Sequence, residues 1–574
     1  MTGFRVWAPR AERVDLVAGD RAVPMEGPDD HGWFRVEAEV TPGDDYAYRL
    51  DGGDLSPDPR SPWQPHGVHG PSRLVDHGTF QWTDAGWAGA DPAAAVIYEL
   101  HVGTFSPEGT FDGVIARLPH LVDLGVDTVE LLPVAQFPGR RGWGYDGVDL
   151  YAPHHDYGGP DGLKRLVDAC HAAGLAVVLD VVYNHLGPAG NYLGRFGPYF
   201  TDRYATPWGE AVNFDGSDSD PVREFFVDNA LMWLRHYHFD GLRLDAVHAY
   251  LDTSATHILE ELAVRVEELS DSVGRRLSLI AESDLNDPRV VNDRSRGGYG
   301  IDAQWSDDFH HSLHATLTGE RSGYYEEFGS MATLAKSLRQ AFVYDGCYSS
   351  FRRRRHGRRP EGLEASRFLA YLQNHDQIGN RATGERSSVL MSPALLKVAA
   401  ALVLCGPFVP MLFQGEEWGA STPFLYFTDH EDPELGRLVS EGRRREFASF
   451  GWKPEEVPDP QAPETFAASR LDWDELACPP HAELLDWHRR LISLRRSTPA
   501  LSEGRFPDDV RYDEGGRWLV LDRGPVTMAA NMGPMAAEVP VGGGRASVLI
   551  ASVEGVSVGG GSVGLPPESV AVVG

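Results

Sequence analysis

Two patterns alternate along the middle of the chain. Short apolar, β-branched runs at 96–105, 127–134, 175–185, 239–247, 277–283, 302–306, 367–376 and 408–417 read as buried strands. Between them lie stretches such as 111–124, 162–173, 222–237 and 256–269, whose apolar residues recur three or four apart, the period of a helix with one buried face. Parallel strands need such crossovers and eight of them close a ring, so the pattern predicts a (β/α)8 barrel rather than an open sheet. The barrel is expected over 89–500, closed by a helix at 482–496, with an insertion at 187–220 too long for a mere connector.

The two ends read differently. Apolar runs at 4–7, 14–17, 33–36 and 46–50, separated by Gly, Pro and Asp clusters, predict a small β-sandwich over 1–88. Pro57, Pro59, Pro62 and Pro65 make an extended exit from it. After Pro499, runs at 518–521, 546–550 and 569–573 predict a second β-sandwich over 501–574, and the alternating Val of 543–564 predicts hairpins there. The fold class expected is therefore multidomain α/β, a central TIM barrel flanked by N-terminal and C-terminal β-sandwiches.

Composition narrows the ligand. A formal charge of −32 argues against nucleic acid or an anionic membrane as partner and suits a neutral ligand. Fourteen Trp and twenty Tyr add aromatic faces of the kind that stack on sugar rings. Cys170, Cys347, Cys405 and Cys478 lie far apart without metal-type spacing, as in a reducing, cytoplasmic setting. Neither a leader-type N-terminus nor a run of about 20 apolar residues interrupts the picture, so no membrane span is expected. Arg352, Arg353, Arg354, Arg355, Arg358 and Arg359 form the strong basic run; without a phosphate-cradling Gly pattern it reads as a solvated loop rather than an anion site.

The chemistry sits where the strands end. Arg243 and Asp245 are full charges on an otherwise apolar strand, two residues apart on one face, so Arg243 is expected to hold Asp245 ionised as a nucleophile or as half of a structural ion pair. Glu282 follows the apolar 277–281 with no Arg beside it, so burial should raise its pKa, as a general acid requires. Asp376 supplies a third carboxylate to the mouth a barrel would form. Three such groups point to glycoside hydrolysis, which with retention of configuration uses a nucleophile and an acid about 5 Å apart.

The motifs DVVYNH (180–185), GLRLDAV (241–247), AES (281–283) and QNHDQ (373–377), in that order, resemble the four signature regions of the α-amylase superfamily. The resemblance implies Asp245 as nucleophile, Glu282 as acid and base, Asp376 as transition-state stabiliser, Arg243 as partner of the nucleophile, His185 and His375 as sugar ligands, and Tyr145 as an aromatic platform. The N-terminal FRVWAPRAERVDLV resembles the β module of branching and debranching members. Longer runs at 206–216, 244–250, 302–320, 412–430 and 440–450 resemble the malto-oligosyltrehalose trehalohydrolase family. That implies a malto-oligosyltrehalose substrate, a trehalose product and a synthase as pathway partner without physical contact. The alternative is a glycogen branching enzyme with the same trio.

Specificity then belongs on the leaving-group side. Trp208 is the first candidate for stacking there, or else a core Trp closing the loop, and His248 is the second. Asp307, Asp308, His310 and His311 are a third contact, a hydrated helix start with Asp near its positive end, or metal ligands. Some superfamily members hold calcium near the Asn at 184, but the loop completing that site is short here, and neither metal nor cofactor is expected.

Overall fold

The computed structural model describes residues 1–90, 95–448, 453, 456–544 and 547–574. Ala546, expected in a C-terminal strand, and Ser449 and Phe450, part of a family-like run, lie outside them, as do residues 91–94 near the expected start of the barrel.

Eight parallel strands close a barrel in sequence order: β1 (Ile97–Leu100), β2 (Thr128–Leu131), β3 (Ala176–Val181), β4 (Gly241–Leu244), β5 (Ser278–Ala281), β6 (Ala303–Trp305), β7 (Phe368–Ala370) and β8 (Val409–Phe413). Their apolar residues are buried on both faces, which is why these strands read as continuous apolar runs. Ile97, Val178, Ile280, Leu369 and Val409 form an inner layer with Trp305, Tyr371 and Met411. Leu100, Leu179, Leu242, Leu244 and Leu412 belong instead to the cluster shared with the helices. Two residues beyond Ile97, Val178 and Ile280 come Glu99, Asp180 and Glu282, so strand alternation carries these carboxylates to the inner side, one layer nearer the mouth.

Every expected strand is found, but each is shorter than its apolar run, chiefly at the C-terminal end. The third stops at Val181 rather than His185, and the seventh at Ala370, with 375–379 forming a short helix. The backbone leaves the ladder there to present side chains across the mouth. The expected helix 111–124 is broken into Phe111–Ile115 and Leu118–Leu124, because Pro119 cannot donate within a continuous helix. The insertion at 187–220 is ordered: it carries a helical turn, Leu193–Phe196, and a hairpin of Phe200–Thr206 with Gly209–Val212.

At the N-terminal end Thr2–Trp7 pairs with Trp33–Ala38, beside a five-stranded sheet built on Val14–Ala18 and Asp45–Leu50. The C-terminal end has a five-stranded sheet around Val526–Asn531 and a three-stranded one, whose Ser557–Gly559 and Ser562–Leu565 make the hairpin expected of the Val-rich run.

Candidate active site

The mouth of the barrel opens into a cavity of about 420 Å3, lined by Trp143, Tyr145, His185, Trp208, Asp245, His248, Glu282, His375, Asp376, Asn380, Tyr426 and Phe427. All three carboxylates expected from the sequence are there, as are Tyr145, His185, Trp208, His248 and His375. Arg243 lies beneath them, fully buried, with its guanidinium 4.1 Å from the ring centroid of Trp305.

Arg243 organises the floor. Its Nη1 donates to Asp180 Oδ2 at 2.7 Å and to Asp245 Oδ1 at 2.8 Å, while Nη2 lies 3.0 Å from Glu282 Oε2 as an ion pair. Ala246 takes a left-handed conformation (φ 43°, ψ 50°), uncommon for a residue with a Cβ, and its N–H donates to Glu282 Oε2 at 2.8 Å. Thus the residue after the nucleophile candidate anchors the acid candidate.

This contact set reverses one expectation. Glu282 has no Arg beside it in sequence, but the fold brings Arg243 to it. Burial pushes its pKa up, yet Arg243 and the Ala246 N–H outweigh burial and hold it below the ordinary Glu value. Asp245 goes the other way: burial, joined by Glu282, Asp180 and Asp376, lifts it well above the ordinary Asp value despite Arg243. With one guanidinium between them, the charge of each carboxyl group governs the other.

Asp376 stands at the start of the His375–Gly379 helix, where Asn374 accepts from the Asp376 and Gln377 amides and the Gln377 side chain accepts from the Asn374 amide. This capping box aims Asp376 into the cavity, with its side chain 37% exposed. Asn380 donates to Asp376 Oδ1 at 3.2 Å. His375 is held at both nitrogens: Nδ1 donates to Glu99 Oε1 at 2.5 Å, and Nε2 lies 2.8 Å from Tyr145 Oη. Burial opposes a charged imidazole, but Glu99 and Asp376 prevail and raise its pKa to about 9. Tyr145 donates to Asp180 Oδ2 at 2.5 Å, and its ring stacks on His375 at 5.2 Å. By contrast burial lowers His185 to about 4, leaving it neutral.

Trp208 is no core residue. It sits in the turn of the inserted hairpin, 45% exposed, its ring parallel to His185 (5.0 Å, 7°). His248 Nδ1 accepts from the Asp284 amide at 3.4 Å on the Glu282 side of the cavity. The 307–311 cluster separates into different jobs. Asp307 accepts from Tyr371 Oη at 2.6 Å, and burial with three nearby carboxylates raises it to about 7. Asp308 is a buried clamp accepting from the Val343 and Tyr344 amides and from Asn286, rather than a solvated acid at the helix start. His310 bonds Leu372 O and Tyr325 Oη. Asn184 is buried with neither amide atom paired, and among the described residues no group of three or more His, Cys, Asp or Glu side chains is arranged to hold a metal.

Sequence reasoning missed Glu99, Trp143, Asn380, Tyr426 and Phe427, and gave Asp180 no role. Glu99 had the signal that exposed Arg243, a charge within an apolar strand. Asn380 had another, four residues beyond Asp376 and so on the same helix face.

Residues 76–197 match the family model "Alpha amylase, catalytic domain", and 509–572 match a domain of unknown function (DUF3459). A malto-oligosyltrehalose trehalohydrolase from Rhizobium sp. (strain M-11) is 51% identical over 99% of this chain and 97% of its own length. The chain belongs to the malto-oligosyltrehalose trehalohydrolase family. The enzyme of that name from Arthrobacter ramosus is 53% identical over 94% of each chain. A crystal structure described as a putative alpha amylase from Salmonella typhimurium superposes with a TM-score of 0.91 at 40% identity, covering 99% of this chain and 97% of that one. Membership makes this protein a glycosidase, and no described helix is long and apolar enough to cross a membrane.

Proposed function

We propose that the chain hydrolyses the α-1,4 bond joining a malto-oligosaccharide to a terminal trehalose, with retention of anomeric configuration. One observation carries the retaining mechanism: Asp245 and Glu282 share the two terminal nitrogens of Arg243, which suits the ~5 Å spacing of a nucleophile and its acid. Asp245 attacks the anomeric carbon of the last maltosyl glucose, and Glu282 protonates the departing oxygen. Free trehalose leaves, and water activated by Glu282 then resolves the glycosyl-enzyme. For this the pair must hold its proton on Glu282 with Asp245 ionised. A glycosidic oxygen beside Glu282 gives that proton an acceptor, and positive charge developing at the anomeric carbon favours ionised Asp245.

Asp376 opposes the same positive charge. His375, a cation at neutral pH, and neutral His185 are assigned to hydroxyls flanking the cleaved bond, with Tyr145 as the stacking face. Trp208 and His248 are assigned to the leaving trehalose. The reaction places the protein in trehalose formation, after a synthase that makes the malto-oligosyltrehalose, and the four unpaired cysteines suit a reducing, cytoplasmic setting.

Product analysis on malto-oligosyltrehalose beside the matching malto-oligosaccharide tests the reading. Free trehalose and a malto-oligosaccharide should appear, with the α-anomer first in NMR spectra. A colour shift of iodine-stained amylose without trehalose release would mean branching instead, and early β-anomer would mean inversion.

A further inference from the structure

Beside the sugar cavity, but separate from it, the expected solvated arginine loop has a defined shape. It folds as a hairpin, Asp345–Ser349 with Arg354–Gly357, and its first arginine is not free: Arg352 pairs with Asp284 through both terminal nitrogens, one at 2.7 Å. Arg354, Arg355 and Arg358 face the loop after Glu282. Asn286, Asp287, Arg289, Arg354, Arg355 and Arg358 line a cavity of about 430 Å3, with the one carboxylate among them, Asp287, engaged by Arg289.

In a chain with 84 acidic and 52 basic residues, the pairing of the arginines around this one cavity is uneven. Arg289 has Asp287 at 2.6 Å, and Arg359 has Asp345 at 3.8 Å. Arg354, Arg355 and Arg358 have no carboxylate partner among the described residues; Arg355 donates only to the Gly346 carbonyl, at 3.2 Å. The walls are fixed. Arg358 N donates to Asn286 O at 3.0 Å, His356 Nε2 bonds Asp284 O at 2.8 Å, and Asn286 donates to Asp308. Several guanidinium groups around one concave surface let a compact anion meet more than one of them at once.

We propose that this cavity is a binding site for a small, multiply charged anion of the phosphate class. Planar guanidinium forks match phosphate oxygens, and the volume is that of a small-molecule cleft, not of a polymer groove. The net charge of −32 repels a nucleic acid as a whole, but its field is screened beyond about 8 Å, so a compact anion meets chiefly the local arginines.

Calorimetry with inorganic pyrophosphate, at ionic strength fixed with sodium chloride, reads the site directly. One saturable site per chain is expected. Changing Arg354, Arg355 and Arg358 together to Gln should weaken it by about a hundredfold, because charge-assisted hydrogen bonds are lost. These side chains are exposed, so the variant should keep the wild-type melting temperature. Hydrogen exchange on the wild-type protein gives an arm that needs no variant: pyrophosphate should protect 285–289 and 345–358. Glucose 1-phosphate binding more tightly than pyrophosphate would support the site and identify an organic phosphate as its source. Absence of saturable binding, an unchanged affinity in the variant, or protection elsewhere would overturn the proposal.

Discussion

One guanidinium sets the electrical state of the candidate site. Arg243 touches Asp180, Asp245 and Glu282 at once, so its fork geometry matters as well as its charge. Arg243→Lys keeps the charge but replaces a rigid fork with a single ammonium that cannot reach all three carboxyl groups in the same geometry; kcat/KM should fall by roughly a hundredfold or more while the fold persists. Near-wild-type turnover would show that charge alone suffices. The pH profile should be a bell belonging to the carboxyl pair. Because burial and Glu282 lift Asp245 in the free site, the acid limb of kcat/KM should lie above the ordinary Asp range near 3.9. Glu282→Gln should remove most turnover while leaving substrate binding largely intact. His375 bears on stability. Its folded pKa of about 9 exceeds the unfolded value near 6.5, so its contribution is full below about 6.5 and lost as pH rises through 9. Melting curves from pH 6 to 10 should show a decline that is shallower in His375→Asn; equal slopes would refute the assignment.

At the scale of elements, the sequence showed where each barrel strand lies but not where its ladder stops. Apolar runs continue past the last hydrogen-bonded pair, since residues lining the mouth are still buried. Arg243 and Asp245 were legible as charges in an apolar strand, but the Arg243 contact that lowers Glu282 was not, because it crosses from β4 to β5. The inserted hairpin was legible only as excess length. Its folding puts Trp208 over His185, with much of the indole still exposed. The second ring of trehalose points away from the path of a maltosyl unit, and an aromatic face suits such a neutral ring. Trp208→Ala should therefore lower kcat/KM on malto-oligosyltrehalose more than on malto-oligosaccharide. Loss of one stacked ring costs on the order of 1–3 kcal/mol by analogy with aromatic stacking on bases, about tenfold to a hundredfold in the ratio. Equal losses on both substrates would make Trp208 a support of the loop and move the search to His248 and Asp307.

Across the whole molecule, the two faces of the barrel carry different burdens. The mouth is bordered by the insertion, on which the N-terminal strands pack through Trp7 against Tyr199 and Tyr48 against Phe196. At the opposite face two buried arginines join the barrel to its closing helix and to the C-terminal sheets. Arg495 donates to the carbonyls of Leu404, Gly406 and Phe408, and Arg523, on a C-terminal strand, donates to those of Cys405, Gly406 and Leu501. The carbonyls from Leu404 to Phe408 end the Pro393–Leu404 helix and lead into β8, where a helix end leaves acceptors unpaired and favours a cation. Burial lowers Arg523 to about 10, so it is still charged at neutral pH. Arg523→Met preserves much of the volume but strands the Cys405 and Leu501 carbonyls, at roughly 1–3 kcal/mol for each buried acceptor left unpaired. The urea midpoint of the variant should fall clearly. Its kcat/KM under native conditions should stay near wild type, because residues entering a barrel strand lie at the face away from the chemistry. An unchanged midpoint would mean that water or a neighbouring donor replaces Arg523, and that the C-terminal sheets do not brace the barrel through this joint.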